Sequence, residues 1–226
     1  MNSETRKATI ILASSSPRRR ELLALTGWQA VISPVDVEEQ PRPSEPARTL
    51  ALRLAVEKAR VSARTTNASG IIVAADTVVS DEDRLLGKPA DPADAERMLT
   101  NLRGREHMVV TAIVIIDRRN GLEIEEACET IVPMRDYSAE ELMAYIASGA
   151  PMDKAGAYGI QDDGFHPVAL SRLHGCYTNV MGLPLCHLVR AMHRLGERPH
   201  QDVPVACQAH TEYTCPVYSQ IVGDLA

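Results

Sequence analysis

Ser14-Ser-Ser-Pro-Arg-Arg-Arg20 sets three guanidinium groups behind a row of hydroxyls, where an apolar run, Ala8–Ala13, gives way to a helix. Ser16 is a good N-cap and Pro17 a favoured first helical residue, so Arg18, Arg19 and Arg20 fall in the first turn. A helix N-terminus carries partial positive charge, and each exposed cation there costs about 0.3–1 kcal/mol. A bound anion reverses that sign, because free backbone N–H groups, the dipole and arginine forks together make a phosphate site. Side chains turn by about 100° per residue, so one or two of the three arginines reach a common ligand. The preceding serines add hydroxyl donors. The competing reading is a solvated basic surface or pairing with nearby acids.

Four further groups sit where their chemistry needs explaining. Asp76 interrupts the apolar run Ile71-Ile-Val-Ala-Ala-Asp-Thr-Val-Val79. A carboxylate there must be paired, protonated or metal-bound, since burying it bare is prohibitive. The ends of strands in open α/β sheets are also where active sites lie, although an Asp that caps the next turn explains it equally. Lys58 falls on the apolar stripe of Ala47, Leu50, Ala51, Leu54 and Ala55. There it either snorkels outward or meets an anion inside. Lys88 lies between Gly87 and Pro89, which restrains its backbone to extended form and suits a point charge for phosphate. Glu38 and Glu39 lie in an acidic, Pro-rich loop. Such loops are usually just solvated, but either residue could join Asp76 around a hard cation such as Mg²⁺. Cations for a polyphosphate and carboxylates for a metal point to a metal-assisted phosphoanhydride hydrolase.

Placing these groups together requires a mixed fold. Strand Thr9–Ala13 leads into helix Pro17–Thr26, closed by Gly27, and Gln29–Pro34 forms a second strand. A helix spans about Glu45–Ala63 and a strand Gly70–Val79, with a turn at Asp81–Arg84. Asp91 caps a helix that keeps Ala95, Met98, Leu99 and Leu102 on one face and ends near Gly104. His107–Ile116 and Leu122–Met134 flank Asp117-Arg-Arg-Asn-Gly121, a hairpin with an Asn-Gly turn. Ser138-Ala-Glu-Glu141 is a capping box for a helix to about Ser148. The Gly-rich loop Lys154–Gln161 and strand-like segments lead to a last helix, opened by Gly182-Leu-Pro-Leu185 and ending near Leu195. Helices alternate with strands until the hairpin interrupts them. The expected class is therefore α/β with a mixed central sheet and flanking helices. Residues 196–226 are Pro-rich, lack a period and read as an extension, disordered or packed. Their Cys207, His210 and Cys215 are metal-capable but loosely spaced.

The totals narrow the classes. The 226 residues carry net charge −6, which argues against a protein that coats nucleic acid through a broad basic surface. Aromatics make up only 4%, so the core must rest on aliphatic residues and Met. No apolar run approaches the ~20 residues that span a bilayer, and the N-terminus has no secretory h-region. Five cysteines at irregular spacing do not form a disulfide framework. A cytoplasmic protein with no membrane partner is the expectation.

Leu12-Ala-Ser-Ser-Ser-Pro-Arg-Arg-Arg-Glu-Leu-Leu23 resembles the opening signature of the Maf family of nucleotide pyrophosphatases. Glu57-Lys-Ala59, Ala75-Asp-Thr77, Gly87-Lys-Pro89, Asp153-Lys-Ala-Gly-Ala-Tyr-Gly-Ile-Gln161 and Val180-Met-Gly-Leu-Pro-Leu185 match further motifs in order, over roughly residues 8–195. The resemblance implies two lobes around a cleft, as in the inosine-triphosphate pyrophosphatases, with residues 1–195 as the domain. It implies hydrolysis of a nucleoside triphosphate to the monophosphate and pyrophosphate with a divalent metal (Mg²⁺, Mn²⁺ or Co²⁺). It further implies a homodimer and a link to arrest of cell division. By the same resemblance Asp76 is the catalytic acid/base, and Ser14, Arg19, Lys58 and Lys88 bind the triphosphate. Glu38, together with Asp76, is on the metal side, with adjacent Glu39 one residue away. Arg18, Thr77 and Gln161 match the branch acting on dTTP and UTP. The branch acting on 7-methyl-GTP resembles Ser-Pro-Trp, Ser-Asp-Gln and a Glu-containing loop instead. A non-catalytic nucleotide-binding regulator of septation is the remaining alternative. One departure stands beside the base-side loop: Asp162-Asp163-Gly164 replaces the family's Gly-x-Gly.

Overall fold

The computed structural model describes residues 9–223, which form six strands and eight α-helices joined by short 3₁₀ turns. In chain order these are β1 (Ile10–Leu12), α1 (Pro17–Ala24), β2 (Ala30–Ile32), α2 (Ala47–Thr65), β3 (Ile71–Asp81), β4 (Arg84–Leu86) and α3 (Pro92–Leu102). The hairpin β5 (Glu106–Asp117) and β6 (Leu122–Pro133) follows. The chain ends with α4 (Ala139–Ala147), α5 (Tyr177–Met181), α6 (Leu185–His193), α7 (Val203–Thr211) and α8 (Tyr218–Val222).

The sheet order is β2-β1-β3-β5-β6, with β4 paired to β3. β1 is parallel to both β2 and β3, because α1 and α2 carry the chain back across the sheet. β3, β5 and β6 are antiparallel, the last two in register from Glu106 opposite Pro133 to Asp117 opposite Leu122. The sheet is therefore mixed, as the interrupted alternation of helices and strands predicts.

Helices cover both faces, so the central strands are apolar on both sides. Ile10, Leu12, Ile71, Val73 and Ala75 join one core cluster with Leu22 and Leu23 of α1, Leu99 of α3 and Leu188 of α6. Ile11, Ile72, Ala74 and Val78 join a second with Leu50, Ala51, Leu54 and Ala55 of α2. Full burial of a leucine contributes about 1.5–3 kcal/mol, so each face anchors its helices firmly. Along β3 the odd and even residues thus face different helices.

Caps agree with the sequence. Ser16, Asp91 and Ser138 each accept a hydrogen bond from a backbone N–H three residues on, and Ser138 and Glu141 form the reciprocal capping box. Two regions differ. The segments between Gln161 and Gly182, expected to be strand-like, form a 3₁₀ turn (Leu170–Arg172) and α5, with only Val168 bridging Met134. Burial there is irregular rather than alternating, because α5 packs across β5 and β6 through Asn179. The Asn179 side chain accepts from the Thr111 N–H and donates to the Val109 carbonyl and Thr130 Oγ1. Among residues 196–223, read from sequence without a period, the chain forms α7 and α8 and takes the packed alternative: Asp202 caps α7, and Val203 and Tyr213 are buried in the first core cluster. Trp28 Nε1 donates to the Arg198 carbonyl at 3.0 Å.

Candidate active site

β1 ends opposite Val73, and the chain turns away at Ser14 into α1, while β3 continues to Asp81. The uncovered stretch of β3 floors a cleft of about 680 Å³. Asp76 is therefore not at a strand end, as the sequence suggests. It lies mid-strand on β3, beyond the point where the neighbouring strand β1 stops.

The first turn of α1 supplies the cleft with Arg18 and Arg19, while Arg20 is exposed and outside it. That division follows the helical rotation. Arg19 is held from three sides by neutral oxygens: Nε donates to the Gly182 carbonyl at 2.8 Å, Nη2 to Thr77 Oγ1 at 3.0 Å and Nη1 to Ser14 Oγ at 3.3 Å. Burial pulls its pKa down, opposed by the fields of Asp76 and Glu39, with Arg18 adding to the fall. A guanidinium fixed by uncharged partners keeps its charge for a ligand. Thr77 Oγ1 is itself 2.9 Å from Thr111 Oγ1, so Thr77 contributes by fixing Arg19. Ser14 Oγ also accepts from the Ser16 N–H at 3.2 Å, which ties the loop before the helix to the same guanidinium. Arg18 reaches Asp153 at 3.4 Å near the rim.

On the opposite face of β3, Lys58 Nζ lies 2.5 Å from Asp76 Oδ1 and 2.6 Å from Glu39 Oε1. Lys58 is buried, so the apolar stripe of α2 leads it to anions rather than outward to solvent. Burial raises the Asp76 pKa, opposed first by Lys58 and then by Arg19. Glu39 is shifted down: burial works against the shift, and the hydrogen bond and charge of Lys58 outweigh it, with Lys88 and Arg19 contributing.

Ser14, Arg18, Arg19, Lys58, Asp76, Thr77, Lys88 and Gln161 all line this one cleft. Glu38 does not; its neighbour Glu39 does. In the extended loop adjacent residues point apart, and Glu39 is the one aimed at Lys58. Asp153 and Lys154 also line the cleft, and Lys154 Nζ lies 3.0 Å from Asp153 and 3.2 Å from Asp162. Sequence reasoning assigned neither a role, although both sit inside the motif that ends at Gln161. In the C-terminal extension, His210 faces Glu21 at 3.5 Å, away from Cys207 and Cys215. Among the described residues no group of three or more His, Cys, Asp or Glu side chains is arranged to hold a metal ion, in the extension or in the cleft. Four carboxylates line the cleft, Asp36, Glu39, Asp76 and Asp153; Glu39 and Asp76 converge on Lys58, whereas Asp153 pairs with Arg18 and Lys154.

The model of the family described as Maf-like protein matches residues 9–195. A dTTP/UTP pyrophosphatase of Dehalococcoides mccartyi is 45% identical over 190 residues, 84% of this chain and 84% of that one. A dTTP/UTP pyrophosphatase of Geobacter sulfurreducens is 45% identical over 193 residues, covering 84% and 98%. One from Citrifermentans bemidjiense is 44% identical, covering 84% and 97%. Among solved structures, the Ham1 protein of Staphylococcus aureus is 14% identical, with a TM-score of 0.40 over 71% of this chain and 79% of that one. The ordered motifs, the cleft that gathers them and the match over residues 9–195 place the chain in one family: it belongs to the Maf family.

Proposed function

We propose that this chain hydrolyses a nucleoside triphosphate, dTTP or UTP, to the monophosphate and pyrophosphate. The observation that carries the reading is a pair of adjacent β3 residues serving two different cationic groups in one cleft, Asp76 with Lys58 and Thr77 with Arg19. The relatives named dTTP/UTP pyrophosphatase support it. In this reading residues 1–195 hold the catalytic domain and 196–226 are an extension. A cytoplasmic homodimer, with no membrane or nucleic-acid partner, completes it. No helix among the described residues is long and apolar enough to cross a membrane.

The triphosphate lies across the start of α1. Ser14 and Arg19 hold it there, Lys88 binds it from its rigid loop, and Arg18 closes the rim. Lys58 sits between the reacting phosphate and the two acids. Asp76 takes the proton of a water that attacks the α-phosphorus, and pyrophosphate leaves as its bridging P–O bond breaks. Desolvation of Asp76 raises its basicity, while Lys58 keeps it ionised. Most of the acceleration comes from positioning and charge stabilisation, as in phosphoryl transfer generally.

Two carboxylates with hard oxygen donors fit an Mg²⁺-like ion that completes its shell with phosphate oxygens and water. Glu39 and Asp76 would hold it, in place of the Glu38–Asp76 pair that the sequence suggests. When bound, such an ion supplies charge neutralisation and polarises the phosphoryl oxygens.

The test is pyrophosphate release from a panel of ordinary and modified triphosphates, with Mg²⁺, Mn²⁺ or Co²⁺. Turnover of dTTP and UTP above all others is expected. Preference for 7-methyl-GTP would move the substrate assignment. Binding without turnover would leave a nucleotide-binding regulator.

A further inference from the structure

The Asp162 carboxylate is a junction of three donors. Gln161 Nε2 donates to Oδ1 at 3.0 Å, Tyr145 OH to Oδ2 at 2.5 Å, and Lys154 Nζ lies 3.2 Å from Oδ2. The Tyr145 oxygen also accepts the Gly159 N–H at 3.2 Å. Gly159 makes room for the arrangement: a Cβ there would lie 2.4–2.8 Å from the carboxylate atoms of Asp162. The Asp162 side chain is thus fixed by a phenol, an ammonium and a backbone wedge, and only 13% of it is exposed.

A carboxylate accepts hydrogen bonds and donates none, whereas a Gln amide carries a donor NH₂ and an acceptor oxygen on opposite arms. Facing Asp162, the amide of Gln161 must present its nitrogen, which forbids the flipped orientation. Its Oε1 and one remaining N–H are then fixed relative to the cleft that Gln161 lines. The pyrimidines differ in this pattern. Uracil and thymine carry an N3–H donor beside the O4 acceptor. Cytosine carries an N3 acceptor beside a 4-amino donor. A freely flipping amide pairs with either base, and a locked one with a single pattern.

We propose that Asp162 is a positioning residue for base selection: it locks the Gln161 amide so that Oε1 receives the imide N3–H of uracil or thymine and cytosine is rejected. The proposal rests on the triphosphate reading above and deepens it. For cytosine the locked amide sets acceptor against acceptor, a mismatch worth about 1–3 kcal/mol, or about 5- to 150-fold in kcat/KM.

The experiment compares kcat/KM for UTP and CTP in the wild-type protein and in Asp162→Asn, whose side chain both donates and accepts and so permits either amide orientation. The UTP-to-CTP ratio should fall about tenfold or more, with CTP gaining relative to UTP. Tyr145→Phe, which loosens Asp162 without removing the acceptor from Gln161, should keep most of the ratio. If Asp162→Asn does not fold, Asp162→Gly removes the acceptor altogether and should lower the same ratio. A parallel loss on both nucleotides, or an unchanged ratio in a folded variant, overturns the proposal. If the wild-type protein releases no pyrophosphate, the hydrolytic reading fails separately. Calorimetric affinities for UTP and CTP then decide the lock, and equal affinities overturn it.

Discussion

Asp76 and Thr77 are consecutive in the chain and stand on opposite faces of one strand. The Asp76 carboxylate meets Lys58 of α2 at 2.5 Å, and the Thr77 hydroxyl meets Arg19 of α1 at 3.0 Å. Strand alternation makes this unavoidable once β3 is covered on both sides. A single dipeptide thereby couples an acidic centre to the arginine-bearing start of α1, and the strand holds the two at fixed separation.

Replacing Asp76 by Asn keeps its shape and removes the base. Turnover on dTTP should fall by about 10²–10⁴-fold, the usual contribution of a positioned general base. Initial rates of pyrophosphate release measure it. Near-wild-type turnover would show that Asp76 takes no proton.

Arg19→Lys retains a charge but loses the fork that spans Gly182, Thr77 and Ser14. A guanidinium held at three points is not replaced by a point charge on a flexible stem. A drop in kcat/KM of about 10- to 100-fold is expected, equivalent to about 1.4–2.7 kcal/mol. Arg20→Lys, on the solvent side of the same turn, provides the comparison and should change little.

Glu39→Gln and Glu38→Gln separate the two adjacent acids. Glu39 faces Lys58 in the cleft and Glu38 does not line it. The concentration of Mg²⁺ giving half-maximal activity should rise at least about tenfold for Glu39→Gln, reflecting the loss of one of two carboxylate donors. For Glu38→Gln it should stay near wild type. The reverse order would return the metal-side role to Glu38.

His107 ties stability to pH. Its ring is buried with Nε2 2.7 Å from Tyr158 OH, and burial lowers its pKa from 6.5 to about 4, the field of Asp81 opposing and that of Arg105 assisting. The unfolded chain therefore binds a proton near pH 6.5 that the folded chain refuses until about pH 4. Stability from this group is fully present above pH 6.5 and is lost as pH falls through that window, by up to about 3 kcal/mol. Urea midpoints between pH 7 and pH 4 should decline more steeply for the wild-type protein than for His107→Gln. Parallel declines would remove His107 as the cause.

Truncation after Leu195 strips Val203 and Tyr213 from the core and the Arg198 carbonyl from Trp28. At about 1.5–3 kcal/mol for each large apolar side chain, the loss should be several kcal/mol. Chemical unfolding should show a lower midpoint. An unchanged midpoint would mean that the extension packs without stabilising the domain.

Much of the site was legible in the sequence because its groups violate local rules. Arginines at a positive helix end, an aspartate in an apolar strand and a lysine on an apolar stripe each demand a partner, and Arg18, Arg19, Asp76 and Lys58, with Lys88, line one cleft. Element types followed equally from capping residues and periodicity, since those are local properties of backbone hydrogen bonding and side-chain direction. Long-range order was less accessible. Nothing local in Glu38-Glu39 says which acid turns inward, because that depends on how the loop between β2 and α2 crosses toward Lys58. The segment before α5 lacked a period because Asn179, rather than a strand partner, satisfies the neighbouring strands.

The sequence by itself determined which charged groups stand in apolar or dipole-opposed places and which elements hold them, because charge, capping and apolar spacing are properties of a few neighbouring residues. Only the tertiary structure decided that β1 stops short of Asp76 and opens the cleft, that Glu39 meets Lys58, and that Tyr145 holds the Asp162 carboxylate. Those relations join residues whose separation along the chain is bridged by packing, and packing is settled by the whole fold at once.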